Sequence, residues 1–258
     1  MCDISVLTFF IDYCKPEEFN NKRVLEVGSR FINGSIRPFI EKFLHPKEYV
    51  GIDIIKGKFV DKIVAAEDIV SYFGENTFDV VIASEIIEHV RDWRLVLQNL
   101  KDVLTEKGYL FITTRSKGFP LHDYPFDYWR FEIDDMKEIF SDFKIKAILK
   151  DNRYPGLFFK AQKPEIYKYR SMDNIKLYSI IHKKRIIFIP KGPSEEEILK
   201  NKKKKFEEIR YAYEPIRFRN KDQYKLEQMG LKKRLLNSFL KRLKKIEEKI
   251  LYHLEKDN

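Results

Sequence analysis

Apolar and polar positions along the chain alternate between two rhythms from Arg23 onward. Val24-Leu25-Glu26-Val27, Tyr49 to Asp53, Phe78 to Ser84 and Tyr109 to Thr114 are short runs rich in branched and aromatic side chains, and they read as buried strands. Between them apolar residues recur three and four apart. Ser35 to Leu44 carries Ile36, Phe39, Ile40, Phe43 and Leu44 at helical spacing, with His45-Pro46 as its stop. Trp93 to Leu104 carries Leu95, Val96, Leu100, Val103 and Leu104, closed by Lys107-Gly108. The same reading predicts a helix within residues 4 to 20, a short third strand over Asp61 to Ala65 and a helix over Asp134 to Phe140. The last two strands are predicted at Phe143 to Leu149 and Leu157 to Ala161, on either side of the turn Tyr154-Pro155-Gly156. Strands alternating with helices predict an α/β fold, a doubly wound and mostly parallel sheet.

The first strand runs into a glycine-marked loop, Glu26-Val27-Gly28-Ser29, with Gly34 and Ser35 where a helix would start. A ligand could lie directly against that backbone. The spacing from Gly28 to Gly34 departs from the G-x-G-x-x-G of dinucleotide sites, so a nicotinamide cofactor is the weaker candidate. Glu26 is a carboxylate in a buried strand and calls for a polar neighbour. Asp53 ends the second strand, where acids grip ribose hydroxyls in nucleotide-type folds, although a plain turn aspartate is the structural alternative. Ser84 and Glu85 end the fourth strand, and ligands of open α/β sheets bind at such strand ends. His89 follows, either as a catalytic base or as a histidine that shapes the loop.

Taken together, Glu26-Val27-Gly28 with Gly34, Asp53, the segment Ala66-Glu67-Asp68, and the run F-D-V-V-I-A-S-E-I-I-E-H-V from Phe78 to Val90 resemble class I S-adenosylmethionine-dependent methyltransferases. The likeness is to the small-molecule, methyltransferase type 11-like members and covers Arg23 to Thr114 without a gap. It implies a Rossmann-like sheet with an antiparallel last strand, and S-adenosyl-L-methionine as cofactor. It also implies cofactor contacts from Glu26, Gly28, Ser29, Gly34, Asp53, Ala66, Glu67, Asp68 and Ser84.

After the fifth strand comes a stretch rich in polar and aromatic residues, from Gly118 through His122-Asp123-Tyr124-Pro125 to Asp127-Tyr128-Trp129-Arg130-Phe131. Such a loop is costly to order without a purpose. It resembles the H-x-x-P-x-D-Y-W-R segment of a subset of these enzymes associated with glycans or small metabolites. Tyr124, Tyr128, Trp129 and Arg130 are the expected acceptor contacts, in a structural lid whose aromatics cover the cofactor while Arg130 pairs with an acid; both readings are expected to hold, the lid also forming the acceptor pocket. The candidate general bases are Glu85, His89, His122 and Asp123.

Composition adds a division of the chain. Residues 1 to 164 hold 24 basic and 26 acidic side chains, a balance of −2, while residues 165 to 258 hold 26 and 14, a balance of +12. This predicts a methyltransferase domain over 1–164 and a basic, mainly helical extension over 165–258. In the extension, Leu236, Phe239, Leu243, Ile246 and Ile250 predict a last helix that packs on the body, on a second copy in a homo-oligomer, or on an anionic surface. Cys2 and Cys14 form no disulfide framework or metal cluster, and the five histidines show no ligand spacing with them, so no metal is expected. No apolar run reaches membrane-spanning length, and a cytoplasmic protein is expected.

The leading functional expectation is methyl transfer to a small molecule or glycan. One alternative is a nucleic-acid methyltransferase whose basic tail holds phosphates, although the N-P-P-Y-like and D-P-P-Y-like signatures of the amino-methylating types are absent. Another is a non-catalytic cofactor-fold protein that binds a partner through its tail. Retention of Glu26, Gly28, Asp53 and the polar loop favours an enzyme.

Overall fold

The computed structural model describes residues 3–32, 34–122 and 126–189. The predicted helices of the basic extension lie outside the described residues, as do Asp123 and Tyr124.

Asp3 caps the first helix, α1 (Ile4–Tyr13), its carboxylate accepting from the backbone of Ser5 and Val6. A single helix over residues 4 to 20 does not form, because Cys14 and Lys15 are extended and Pro16 opens a second short helix, α2 (Pro16–Phe19). There follow β1 (Arg23–Val27), α3 (Arg37–Phe43), β2 (Glu48–Asp53), β3 (Lys62–Ile63), α4 (Ile69–Phe73), β4 (Phe78–Ser84), α5 (Trp93–Val103) and β5 (Leu104–Arg115). The chain continues through β6 (Trp129–Arg130), α6 (Ile133–Ile139), β7 (Lys144–Lys150), β8 (Gly156–Gln162), β9 (Leu177–Ser179) and β10 (Lys184–Ile186). The third strand is shorter than its sequence suggests, since only Lys62 and Ile63 pair and both are exposed at the sheet edge.

Seven strands form one sheet in the order β3-β2-β1-β4-β5-β8-β7. The first five run parallel, and β8 runs antiparallel to both β5 and β7. The order reverses between β1 and β4, which lie side by side, so the strand ends at Val27 and Ser84 flank the crevice where such sheets bind ligands. α5 buries Trp93, Val96, Leu97, Leu100 and Val103 on one face of the sheet. On the other side Phe9 of α1 stacks on Phe158 of β8, with ring centroids 5.0 Å apart. The expected Rossmann-like arrangement with an antiparallel closing strand is what the chain adopts.

A second sheet, β10-β9-β6, joins the loop after β5 to the segment beyond Pro164. Met172, Ile175, Leu177, Ile181 and Ile189 are buried in the same core as the main sheet. The Arg94 guanidinium, on α5, donates to the carbonyls of Met172, Ile175 and Ile187. The run Arg185 to Ile189, which by itself reads as an isolated strand, is therefore paired through Arg185 and Ile186, and residues up to 189 belong to the packed body. No helix among the described residues is long and apolar enough to cross a membrane.

Candidate active site

β1 delivers the chain into Gly28, which takes φ +74°, a conformation that side chains resist. A Cβ there would lie 3.2 Å from Cβ of Ile86, so the absence of a side chain keeps the end of β1 open toward the end of β4. The backbone N–H groups of Gly28 and Ser29 both donate to the carbonyl of Ile52, at 2.9 Å each. Ser29 is turned away from the crevice, donating its hydroxyl to the Phe59 carbonyl at 2.9 Å, and braces the loop from behind. Gly34 is half-buried just before α3, where the Ser35 hydroxyl accepts from the Arg37 N–H.

Glu26 is buried and accepts a 2.8 Å hydrogen bond from the Tyr49 hydroxyl. Burial pushes its carboxyl up to about 7, against the pull of that hydrogen bond. Asp53 accepts from the Ile55 N–H at 2.9 Å, and the Nε of Arg30 stands 3.9 Å away. That Nε is buried without a hydrogen-bond partner. Ala66, Glu67 and Asp68 form one 3₁₀ turn, whose first two carbonyls accept from the Asn99 amide. Ser84 shares a 3.0 Å hydrogen bond with the Thr113 hydroxyl across β4 and β5.

This donor set fits the expected cofactor. Gly28 leaves the crevice free of a side chain at the end of β1, an acid ends β2, an orphaned guanidinium N–H lies beside that acid, and Glu26 is a buried carboxylate on β1.

Glu85 directly follows β4 with φ +55°, a left-handed turn that costs on the order of 1 kcal/mol in a non-glycine residue. Its N–H donates to the Thr113 carbonyl, and its carboxylate pairs with Arg115. Burial, then the neighbouring Glu88, push its carboxyl up to about 8, against the pull of Arg115. As a candidate base Glu85 is already committed to an ion pair.

His89 and His122 meet although 33 positions separate them, their ring centroids 4.7 Å apart. The Nδ1 of His89 lies 2.5 Å from the Phe126 carbonyl, and the Nδ1 of His122 lies 3.0 Å from an oxygen of Asp127. Both partners are acceptors, so each Nδ1 carries a proton, and in the neutral form of each ring the Nε2 presents a lone pair. The Asp127 carboxyl is buried, which alone would raise it, but hydrogen bonds from Arg130 and His122 hold it down at about 2. Glu88 is wholly buried beneath them and receives the Thr114 hydroxyl at 2.8 Å on one oxygen.

The aromatic stretch corrects part of the acceptor-contact expectation. Arg130 is fully buried, and its five N–H donors go to Asp127 and to the carbonyls of Phe119, Pro120 and Trp129. An arginine without a spare donor cannot clamp an anionic substrate, so it braces the loop internally. Trp129 is likewise buried, its indole N–H on the Arg91 carbonyl at 3.1 Å. Tyr128 is buried at the inner edge of the loop, its N–H on the Glu88 carbonyl.

Sequence reasoning had assigned no role to Glu88, Asp127, Thr114 or Arg115. The adjacency Glu88-His89 and the i,i+3 pair Asp127 and Arg130 were the available signals.

Fold and crevice together define a class I S-adenosylmethionine-dependent methyltransferase. Residues 5–153 match a family model described as a methyltransferase domain, and the chain belongs to that family. A curated relative, the human mitochondrial ubiquinone biosynthesis O-methyltransferase, is 46% identical over 56 residues, which are 22% of this chain and 15% of that protein's length. One chain of the Haloferax volcanii complex between the Trm112 methyltransferase activator and a protein assigned as a methyltransferase superposes with TM-score 0.51 at 11% identity. That match covers 64% of this chain and 91% of the other. A SAM-dependent methyltransferase from Aquifex aeolicus gives TM-score 0.45 at 17% identity, over 62% of this chain and 98% of its own.

Proposed function

We propose that the protein transfers a methyl group from S-adenosylmethionine to a hydroxyl of a small molecule or glycan by in-line displacement. The observation that carries the hydroxyl reading is the pair of imidazoles in the segments after β4 and β5, each held at Nδ1 by an acceptor, so that the neutral ring offers its Nε2 lone pair. The name of the human relative, an O-methyltransferase of ubiquinone biosynthesis, points the same way.

In this reading Asp53 holds the ribose, and Gly28 with Gly34 passes under the methionine part. Glu26, stiffened by Tyr49, supports the loop and the ammonium group, while Ser29 supports the loop from behind. Ala66, Glu67 and Asp68 lie along the adenine, and Ser84 closes the crevice at the end of β4. The cofactor supplies a methyl group activated by a sulfonium. The protein aligns the acceptor oxygen behind that carbon and excludes water, a contribution worth up to ~7–11 kcal/mol. His89 or His122 takes the hydroxyl proton, and Tyr128 lines the acceptor side.

The test is calorimetry of the full chain with S-adenosylmethionine and S-adenosylhomocysteine. Loss of charged hydrogen bonds at about 1.5–3 kcal/mol each makes Asp53→Ala bind roughly 10- to 100-fold more weakly. A folded wild-type protein that binds neither ligand overturns the proposal.

A further inference from the structure

Arg30 is the single charged residue between Gly28 and Ser35, two places along the loop from the glycine that opens the crevice. Its place is held from both sides. Just before it, Ser29 donates its hydroxyl to the Phe59 carbonyl; just after it, the Phe31 N–H donates to the Lys58 carbonyl at 3.0 Å. The Arg30 stem lies against Gly57, where a Cβ would stand 2.8 Å from Cγ and 3.1 Å from Cδ. The loop after β2 therefore has room for the arginine because that position carries no side chain.

The head of the side chain ends in an unfilled gap. Its Nε is buried without a hydrogen-bond partner and stands 3.9 Å from Oδ1 of Asp53, beyond direct hydrogen-bond reach. Asp53 does not close the gap, because the same Oδ1 is held by the Ile55 N–H at 2.9 Å. The separation suits one intervening oxygen. Legs of ~2.9 Å from the nitrogen and ~2.7 Å to the carboxylate, over the 3.9 Å base, meet at about 90°, and ~0.7 Å of movement opens that to a tetrahedral angle. An oxygen in that place has to accept from an N–H and donate to a carboxylate. A hydroxyl does both, whereas an ether or carbonyl oxygen cannot donate.

We propose that Arg30 and Asp53 together bind one ribose hydroxyl of the cofactor, with Nε–H donating to its oxygen and the hydroxyl donating to the Asp53 carboxylate. This deepens the methyl-transfer reading and rests on it. Asp53 alone accepts from a hydroxyl and tolerates its loss at the cost of one hydrogen bond. With Arg30 opposite, a deoxyribose leaves both a guanidinium N–H and a carboxylate unmatched, and such a site rejects the ligand that lacks the hydroxyl. The same carboxylate repels a phosphate placed on that oxygen, so the pair selects an unmodified hydroxyl. Arg30 is then a cofactor-binding residue that sets selectivity, rather than bulk in a loop that favours small side chains.

The experiment uses the full chain and calorimetry with S-adenosylhomocysteine and its 2′-deoxy and 3′-deoxy counterparts. Two variants separate the hydrogen bond from the charge and the packing. Arg30→Met keeps a stem of the same reach with no donor, and Arg30→Gln places an amide nitrogen the same number of bonds from the backbone as Nε; neither is charged. Thermal unfolding checks the fold of each. In the wild type one deoxy compound is expected to bind roughly 100-fold more weakly than S-adenosylhomocysteine. In Arg30→Met that ratio is expected to fall to about 10-fold, the part owed to Asp53, and in Arg30→Gln to recover toward the wild-type value. A wild type that binds S-adenosylhomocysteine with the same ratios as Arg30→Met overturns the proposal and leaves the cofactor reading standing. A ratio that falls as far in Arg30→Gln as in Arg30→Met also overturns it, since charge and not the Nε–H then sets the selectivity. A folded wild type that binds none of the three compounds overturns both this proposal and the methyl-transfer reading.

Discussion

Glu26 illustrates how one residue couples the site to the fold. Its carboxyl has an ordinary value of 4.5 and is raised to about 7 by burial, so the folded chain holds a proton that the unfolded chain has released. Stability therefore falls as pH rises from about 4.5 to 7 and levels off above. This single group makes the protein roughly 2 to 3 kcal/mol less stable at pH 7.5 than at pH 5. Urea unfolding at the two pH values should show a correspondingly smaller difference in Glu26→Gln, whose side chain does not titrate. Asp127 has the opposite sign, because its carboxyl is held at about 2 against an ordinary 3.8. It adds stability above that ordinary value, and the contribution disappears as pH falls through 2. Asp127→Asn strands the Arg130 charge in the interior and is expected to cost about 3–5 kcal/mol, read from the denaturation midpoint at pH 7. Glycine and acid positions such as Gly28 and Asp53 were legible in the sequence because strand patterning locates the turn that follows. The state of Glu26 was not, since it depends on Tyr49 in the neighbouring strand.

Among the elements, β1, β2, β4, α5 and β5 could be read directly, each being long enough to carry a period. The short strands β6 and β9 could not, because two or three residues carry no rhythm and their pairing spans 48 positions from Arg130 to Tyr178 and 50 from Trp129 to Ser179. The partnership of His89 with His122 was hidden for a related reason. It arises only when the loop after β5 folds back over the end of β4, and what folds it back is Arg130, a residue whose sequence context suggested ligand contact. Conserved-looking chemistry in a motif and structural bracing look alike in one dimension; burial separates them. The same element explains why Glu85 bends: its left-handed turn sends the chain from β4 into the Glu88-His89 corner while its N–H stays on the fifth strand.

At the scale of the whole molecule, the boundary expected at Pro164 divides charge rather than structure. Met172, Ile175, Leu177, Ile181 and Ile189 are buried beyond it. At roughly 1.5–3 kcal/mol for each buried apolar side chain, their removal rivals the 5–15 kcal/mol by which domains are typically stable. A chain cut after Pro164 is therefore expected to lack a cooperative thermal transition, whereas one cut after Ile189 should melt cooperatively and retain cofactor binding by calorimetry. The basic excess then belongs to a segment whose removal changes charge more than fold.

The small sheet also sets an order of events during synthesis. Arg130 leaves the ribosome about 50 residues ahead of the strands that hold its loop in place, a lag of roughly 3 to 10 seconds at 5–20 residues per second. During that interval the five parallel strands can pair, while Trp129 and Phe131 still wait for β9 and for the carbonyls that Arg94 gathers. A nascent chain therefore acquires its cofactor crevice before its acceptor corner, and a chaperone that shields those aromatics has that window in which to act.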